Sequence, residues 1–237
     1  SYAGLTNKLL SKKASRIFVA YEGMGKFFPE DKVILTGNPV RQDILEIEKK
    51  RKEALEFFNL DSTRINILII GGSLGSGTMN NSIIGNVEEV PGNVQLLWQT
   101  GKYYYNDINE RISSKNIKNV QYFPFIKRMD LAYAAADIIV SRAGAGTIAQ
   151  LAIVGKPVIL IPSPNVAEDH QTKNAMALVA GEAAIHIPDK EAVDELWDAM
   201  MVLADDKKTQ KKLAENIKKL TKKDSAEQIA REILSMI

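Results

Sequence analysis

The residues best suited to chemistry form a short run of small side chains, Gly144-Ala145-Gly146-Thr147, between a predicted strand at 137–141 and a predicted helix at 146–154. The first turn of a helix has free backbone N–H groups and a partial positive charge, so it attracts phosphate. Small residues there let a diphosphate approach the backbone closely. A single turn of this kind is weak evidence, because turns need glycine anyway. A phosphate site and a plain structural turn both stay open at this point.

A second glycine-rich turn strengthens the phosphate interpretation. The run Ile65–Ile70 is apolar except for Asn66, as in a buried parallel strand, and it leads directly into Gly71–Gly77. A helical spacing of apolar residues follows from Met79 to Val87. Two such units place two turns at the carboxyl ends of parallel strands, where open α/β folds bind ligands. The pattern is not the dinucleotide fingerprint, because the glycine spacing differs and no acidic residue ends the strand predicted at 94–98.

The elements that must position these turns alternate between strand and helix. Further short strands are predicted at 16–20, 33–35, 119–122, 157–161 and 183–187, and a long charged helix at Arg41–Asn59. Strands that alternate with helices indicate an α/β fold with a Rossmann-like, doubly wound parallel sheet. The Gly37-Asn38-Pro39 turn predicts a domain boundary, since proline pushes Asn38 out of helical conformation.

Composition sets the limits on function. The chain has 237 residues, 31 Lys and Arg against 29 Asp and Glu, and no cysteine. A net charge of +2 gives no reason to expect nucleic acid as a partner. No apolar run reaches about 18 residues, so no membrane-spanning helix is predicted. His170 and His186 are the only histidines, and no cluster of His, Asp and Glu has metal spacing, so we predict no metal and no cofactor.

Five motifs in this order resemble the MurG family of bacterial peptidoglycan glycosyltransferases. They are TGNPVR at 36–41, GGSLG at 71–75, Phe-Ile before a Met-Asp helix, SRAGAGTIAQLAIVGKP at 141–157, and DHQ at 169–171. The resemblance implies a GT-B fold whose C-terminal domain binds the donor. It implies inverting, metal-independent transfer of N-acetylglucosamine from UDP-N-acetylglucosamine to lipid I, forming lipid II, at the cytoplasmic face of the bacterial inner membrane as a peripheral protein.

The resemblance also implies roles for individual residues. Arg41 is expected near the donor at the hinge between domains, and Ser73 is expected to hydrogen-bond the sugar nucleotide. Ile126 presents backbone groups to the uracil edge, and Gln171 holds sugar hydroxyls. The residues expected to wrap the diphosphate and sugar are Gly144, Ala145, Gly146, Thr147, Ile148 and Ala149. Gln150 stands where the family usually has a glutamate that accepts from the ribose hydroxyls; an amide has one acceptor oxygen instead of two.

The resemblance implies a division of the chain into three parts. Residues 1–40 are expected to be a remnant of the N-terminal acceptor domain, 41–222 the donor-binding domain, and 223–237 a helix that returns to the N-terminal domain. The chain starts on a pattern that resembles the middle of a helix, Tyr2–Lys12, so we interpret it as a fragment that binds the donor only. The catalytic base and the membrane contact are expected on the missing N-terminal domain.

Two other functions stay open. One is a non-catalytic donor-binding subunit of a two-chain glycosyltransferase; residues 1–40 argue against it, since a dedicated subunit is expected to start near its first strand. The other is a UDP-N-acetylglucosamine epimerase of the same fold. That chemistry needs acid/base carboxylates and histidines near the sugar, and the sequence shows no such set.

Overall fold

The computed structural model describes residues 3–21, 23–115 and 117–237. Within these residues, parallel strands form one sheet of two strands and one of six. The strands are β1 (Ile17–Val19), β2 (Val33–Leu35), β3 (Ile65–Ile70), β4 (Val94–Gln99), β5 (Val120–Phe123), β6 (Ile138–Ser141), β7 (Val158–Leu160) and β8 (Ile185–His186). The α-helices are α1 (Leu5–Ser11), α2 (Arg51–Phe58), α3 (Gly77–Asn86), α4 (Tyr105–Ile112), α5 (Met129–Ala135), α6 (Ala145–Val154), α7 (His170–Ala180), α8 (Ala192–Asp205), α9 (Lys207–Lys218) and α10 (Ser225–Leu234).

The larger sheet has the strand order β5-β4-β3-β6-β7-β8, and every neighbouring pair is parallel. The chain order runs outward in both directions from β3, so the direction of winding reverses between β3 and β6. Ligands of doubly wound sheets bind outside the carboxyl ends of the strands at this switch point. The predicted doubly wound sheet is confirmed, and the two glycine-rich turns follow the two strands that flank the switch.

Apolar side chains of the strands alternate between two cores, one on each face of the sheet. In β3, Leu68 and Ile70 pack with helices α2, α5 and α6, whereas Ile67 and Ile69 pack with α3, α4 and α8. Side chains that are buried on both faces explain why β3 is apolar at every position except Asn66. Both faces are thereby covered, and ligand access is left to the strand ends.

The N-terminal region forms a separate small unit. β1 pairs with β2 through Ile17 and Val33, and a core of its own includes Val19 and Met24. The first helix begins at Leu5; the predicted start at Tyr2 lies outside the described residues. Leu5, Leu9 and Leu10 of α1 are exposed.

The prediction of one helix across Arg41–Asn59 is wrong for its first half. Two short 3-10 turns, Gln42–Ile44 and Ile47–Lys50, precede α2, which begins at Arg51. Ile44 and Ile47 are both buried in the same core as α5. Each isoleucine lies in a different one of these turns, and the backbone of Glu46 between them is not helical, at φ −120° and ψ 29°. Packing of these two isoleucines therefore decides the local conformation over a helical pattern of charges.

Among the described residues, no helix is long and apolar enough to cross a bilayer.

Candidate functional site

A cleft of about 520 Å³ lies at the carboxyl edge of the sheet, over the switch point between β3 and β6. Ile70 and Ser141 are paired across these strands, so the turns that follow them are neighbours. The cleft is lined by both glycine-rich turns and by the loops after β7 and β8: Gly71, Gly72, Gly75, Ser76, Gly77, Thr78, Tyr104, Arg142, Gly144, Thr147, Ser163, Pro164, Asn165, Gln171 and Asp189. The predicted meeting of the two glycine turns is confirmed.

The first glycine turn is shaped by a close approach between two loops. Gly75 and Gly101 both have positive φ, at 94° and 85°. A Cβ on Gly75 would lie 2.2 Å from the Thr100 carbonyl oxygen, and one on Gly101 would lie 2.2 Å from the Gly75 nitrogen. Only glycine fits both the space and the conformation at these positions. The loop after β3 is thereby pressed against the loop after β4.

The second glycine turn leaves the start of α6 open. Gly144 is the N-cap residue and has no side chain with which to cap the first turn of α6. The backbone at Gly146 does not have positive φ, and a Cβ there would meet nothing within 4 Å. The packing of the described residues therefore does not require glycine at position 146. An anion that lies directly on the backbone N–H groups would require it.

An arginine that the sequence analysis did not select, Arg142, holds the cleft together. Its guanidinium donates to Asp189 Oδ1 at 2.5 Å through Nη1 and to Ser76 Oγ at 2.6 Å through Nη2. Thr78 Oγ1 donates to the same Asp189 oxygen at 2.7 Å. Ser76 is also the N-cap of α3 and accepts from Met79 N–H at 3.3 Å. The only signal in the sequence is the place of Arg142, directly after strand β6; nothing marks Asp189, which lies 47 residues further along.

Gln171 lines the cleft, and the oxygen of its side-chain amide is engaged in hydrogen bonds within the protein. Its Oε1 accepts from the backbone N–H groups of Ala143 at 3.1 Å and Ser163 at 3.0 Å. These bonds fix the start of α7 against the ends of β6 and β7. Because both bonds use the oxygen, the amide nitrogen is the group that Gln171 retains for a ligand.

Ile126 is buried, and its backbone N–H donates to Gln99 Oε1 at 2.8 Å. Of the two backbone groups that the resemblance assigns to uracil recognition, the N–H is therefore engaged within the protein. The carbonyl is the group that remains for the edge of a base. The sequence pattern contains nothing that pairs residues 99 and 126.

Gln150 is linked to the buried residue Tyr133, whose hydroxyl donates to Gln150 Oε1 at 3.4 Å. Burial raises the pKa of Tyr133, so its hydroxyl stays a neutral donor. The positive charge of Arg41 lowers the pKa of Tyr133, but burial is the larger effect. The guanidinium of Arg41 is half-exposed and pairs with Asp43 at 2.5 Å, which raises the pKa of Arg41.

Three other predicted site residues, Ser73, Ile148 and Ala149, are not among the residues that line the main cleft. Ser73 is exposed in the glycine turn that borders the cleft. Ile148 and Ala149 line a separate cavity of about 330 Å³ that Asn38 also lines. Asn38 Nδ2 donates to the carbonyl of Ala145 at 3.2 Å, so the predicted hinge turn contacts the first turn of α6.

In the parts of the chain that the structure describes, no group of three or more His, Cys, Asp or Glu side chains is placed to hold a metal ion. The charges that line the cleft are those of Arg142 and Asp189, which neutralise each other. Backbone N–H groups at the start of α6 are therefore the part of the cleft best suited to an anion.

Comparison with known proteins gives consistent matches. The model of the glycosyltransferase family 28 C-terminal domain matches residues 66–229. A relative from Parabacteroides distasonis is 51% identical over 238 residues and is named UDP-N-acetylglucosamine–N-acetylmuramyl-(pentapeptide) pyrophosphoryl-undecaprenol N-acetylglucosamine transferase. A Bacteroides thetaiotaomicron relative with the same name is 51% identical over 240 residues. These matches cover 100% of this chain but 65% and 64% of the relatives, so the chain spans about two thirds of their length.

Two solved structures show the same architecture. MurG from Acinetobacter baumannii superposes with a TM-score of 0.73 at 25% identity, over 98% of this chain and 64% of that chain. UDP-GlcNAc 2-epimerase from Neisseria meningitidis, solved with UDP-GlcNAc bound, has a TM-score of 0.62 at 17% identity, over 97% of this chain and 63% of that one. The epimerase shares the fold alone. The relatives at about half identity are named as transferases, so neither alternative function is favoured.

Proposed function

Because this chain belongs to glycosyltransferase family 28, we propose that it binds UDP-N-acetylglucosamine, the sugar donor of a hexosyltransferase. The part of that family which it matches is the C-terminal domain. The whole protein then transfers N-acetylglucosamine to lipid I and forms lipid II for peptidoglycan synthesis, as the names of its relatives suggest. The observation that carries the proposal is the pair of glycine turns at the switch point, one of which leaves the start of α6 without a side-chain cap.

The donor diphosphate lies on the first turn of α6, where Gly144 to Ala149 contact it and the sugar. A nucleoside diphosphate carries negative charge, and the helix N-terminus supplies N–H donors and a partial positive charge. The exposed Ser73, in the facing turn, is placed to bond the sugar nucleotide. Gln171 donates to a sugar hydroxyl through its amide nitrogen, since its oxygen is held by two backbone N–H groups.

The uridine extends from the diphosphate toward Ile126 and Gln150. The carbonyl of Ile126 accepts from N3–H of the uracil, and Gln150 binds the ribose hydroxyls beside Tyr133. Arg41 is half-exposed and leaves Asp43 to approach the donor. An exposed ion pair of this kind contributes little, about 0.2–1 kcal/mol, so exchanging the carboxylate for a phosphate is not costly.

The reaction is an inverting displacement without a covalent enzyme intermediate. The acceptor hydroxyl oxygen forms a bond to the anomeric carbon of the donor while the bond from that carbon to the diphosphate oxygen breaks. UDP leaves with the bonding electrons, and a base takes the hydroxyl proton. Charge that builds on the diphosphate is stabilised by the α6 N–H groups and by Arg41, without need of a metal.

The acceptor and the membrane belong to the rest of the protein in this proposal. Residues 1–40 are part of the acceptor domain, 41–222 are the donor domain, and 223–237 pack against the acceptor domain. The separate core around Val19 and Met24 supports this division. The acceptor domain supplies the base and contacts the inner face of the cytoplasmic membrane, so this chain alone binds the donor but does not transfer its sugar.

Calorimetric titration of the chain with UDP-N-acetylglucosamine, in buffer that contains EDTA, tests the proposal. We expect saturable binding with one site, and competition by UDP but not by ADP. A parallel assay with a soluble lipid I analogue is expected to show no transfer by this chain. Absence of UDP-N-acetylglucosamine binding would contradict the donor site, and release of an epimerised UDP-sugar would favour the epimerase alternative.

A further inference from the structure

Gln99 is a buried amide that joins the two loops on either side of the proposed uridine site. It is 2% exposed and is the last residue of β4, level with Ile70 of β3 and Phe123 of β5. Its Nε2 donates to the carbonyl of Gly72 at 2.9 Å, and its Oε1 accepts from the N–H of Ile126 at 2.8 Å. One side chain thus connects the glycine turn after β3 with the segment after β5.

Only an uncharged side chain with a donor and an acceptor at its end satisfies both partners. A carboxylate accepts from Ile126 but has nothing to donate to Gly72, and an aliphatic side chain leaves both backbone groups without a partner. Such buried, unsatisfied groups are costly, so the loops would shift to find other partners. Gly72 has a φ of 99°, and no atom of the described residues lies within 4 Å of the position of a Cβ, so described contacts on that side do not oppose a shift of the loop.

We propose that Gln99 is a positioning residue that couples the uracil-reading segment to the diphosphate loop, so that the two halves of a nucleoside diphosphate are bound as one unit. The proposal rests on the donor site proposed above. Gln99 itself contacts no ligand. It holds Ile126 so that its carbonyl faces the base, and it holds Gly72 so that the glycine turn faces the start of α6.

Two variants separate the two hydrogen bonds. Gln99→Leu removes both, and we expect UDP affinity to fall roughly tenfold. Gln99→Glu at about pH 8 keeps the acceptor for Ile126 and loses the donor to Gly72. We therefore expect uridine affinity within about twofold of wild type and UDP affinity roughly tenfold lower.

The pH dependence of UDP affinity distinguishes the proposed role of Gln99 from a purely structural one, which would not change this affinity with pH. Burial raises the pKa of the introduced carboxyl, and its protonated form regains a donor for Gly72. UDP affinity of Gln99→Glu, expressed relative to wild type at the same pH, is expected to recover between about pH 8 and about pH 5. The charged side chains on the adjoining segments are those of Lys102, Lys127, Arg128 and Asp130. Hydrogen bonding between Arg128 and Asp130 raises the pKa of Arg128 and lowers the pKa of Asp130, so this pair keeps its charges over the range.

The matched control is Gln95→Leu, at the other end of the same strand. Gln95 is also buried, and its Oε1 accepts from the N–H of Asp61 at 2.7 Å, far from the switch point. The Gln95→Leu substitution is expected to lower the melting temperature but to leave UDP affinity unchanged. Calorimetry with UDP and uridine, and thermal melts, are run on all four proteins.

Four outcomes overturn the proposal. If wild type binds UDP and Gln99→Leu binds it equally well, the role of Gln99 is wrong although the donor site stands. The same conclusion follows if Gln95→Leu loses as much affinity, or if Gln99→Glu loses UDP and uridine affinity equally. If wild type binds no UDP, the donor site itself is wrong, and the role of Gln99 fails with it.

Discussion

Arg142 and Asp189 form an ion pair with an Nη1–Oδ1 distance of 2.5 Å, and their side chains are only 16% and 15% exposed. The pair joins the turn after β6 to the turn that precedes α8, and Thr78 bonds the same carboxylate from the start of α3. Three loops that line the cleft are thus held by one carboxylate. The pair also sets the charge of the cleft, since Asp189 offsets the cation that an anionic ligand would otherwise meet.

Asp189→Asn is expected to destabilise the ligand-free protein. It is also expected to enlarge the rise in melting temperature that UDP produces. The guanidinium of Arg142 would lose its charged partner but keep Ile161 O, Pro162 O and Ser76 Oγ, so we expect a cost of about 1–3 kcal/mol. This lowers the melting temperature by about 2–4 °C for each kcal/mol. The diphosphate would replace the missing negative charge, so UDP should raise the melting temperature by more than in wild type.

The control for this prediction is Glu191→Gln in the same turn, where the carboxylate of Glu191 pairs with the exposed Lys190 at 3.5 Å. It is expected to change neither the melting temperature nor its shift with UDP. An Asp189→Asn protein that UDP stabilises no more than wild type would contradict the electrostatic role of the pair.

Gln150→Glu is expected to tighten UDP binding several-fold. The one acceptor oxygen of Gln150 is shared with the Tyr133 hydroxyl, whereas a carboxylate has a second oxygen for the ribose. Charged acceptors make hydrogen bonds about twice as strong as neutral ones, and the gain can reach about 1 kcal/mol. Repulsion from the diphosphate opposes it but is screened across the ribose.

The measurement is UDP affinity of both proteins, with 2′-deoxy-UDP as the control ligand. The gain should be smaller for the deoxy ligand, which lacks one of the two hydroxyls. An equal gain for both ligands, or no gain at all, would show that Gln150 does not contact the ribose.

The stability of Asp130→Asn is expected to fall less than that of wild type when the pH is lowered. Asp130 is buried and accepts from Arg128 at 3.0 and 2.9 Å and from Lys50 at 2.9 Å. The hydrogen bonds from Arg128, and then those from Lys50, hold the pKa of Asp130 below its usual range. A carboxyl whose pKa is lower in the folded than in the unfolded state stabilises the fold above the unfolded pKa of about 3.9. That contribution is lost as the pH falls from about 4 toward the lower folded pKa.

Melting temperatures from about pH 7 down to about pH 2 test this prediction. Asp130→Asn should melt several degrees lower at neutral pH, and its melting temperature should fall less steeply below about pH 4. The matched control is Asp107→Asn, which removes an exposed partner of Arg111 at 3.7 Å and should follow the wild-type curve. Parallel curves for Asp130→Asn and wild type would contradict the account.

The sequence predicts the sheet well because its strands are buried on both faces. β3 and β4 are mostly apolar, and the turn after β3 must be glycine where Gly75 meets the loop after β4. The first half of the helix predicted from Arg41 fails because the packing of Ile44 and Ile47 decides the conformation, and that packing is invisible in a charge pattern. The contacts of Gln99 with Ile126 and of Arg142 with Asp189 join residues 27 and 47 positions apart. No spacing rule links such pairs, since side-chain direction depends on the completed fold.

The central claim is that the donor diphosphate lies on the first turn of α6, and Gly146→Ala tests it most directly. A methyl group at this position meets no atom of the described residues within 4 Å, and alanine favours a helix by about 1 kcal/mol over glycine. Gly85→Ala in α3 is the matched control, since its Cβ also meets nothing within 4 Å. Calorimetry should show that Gly146→Ala binds UDP-N-acetylglucosamine at least about tenfold more weakly with an unchanged or higher melting temperature, whereas Gly85→Ala binds it normally. Wild-type affinity in Gly146→Ala would contradict the claim.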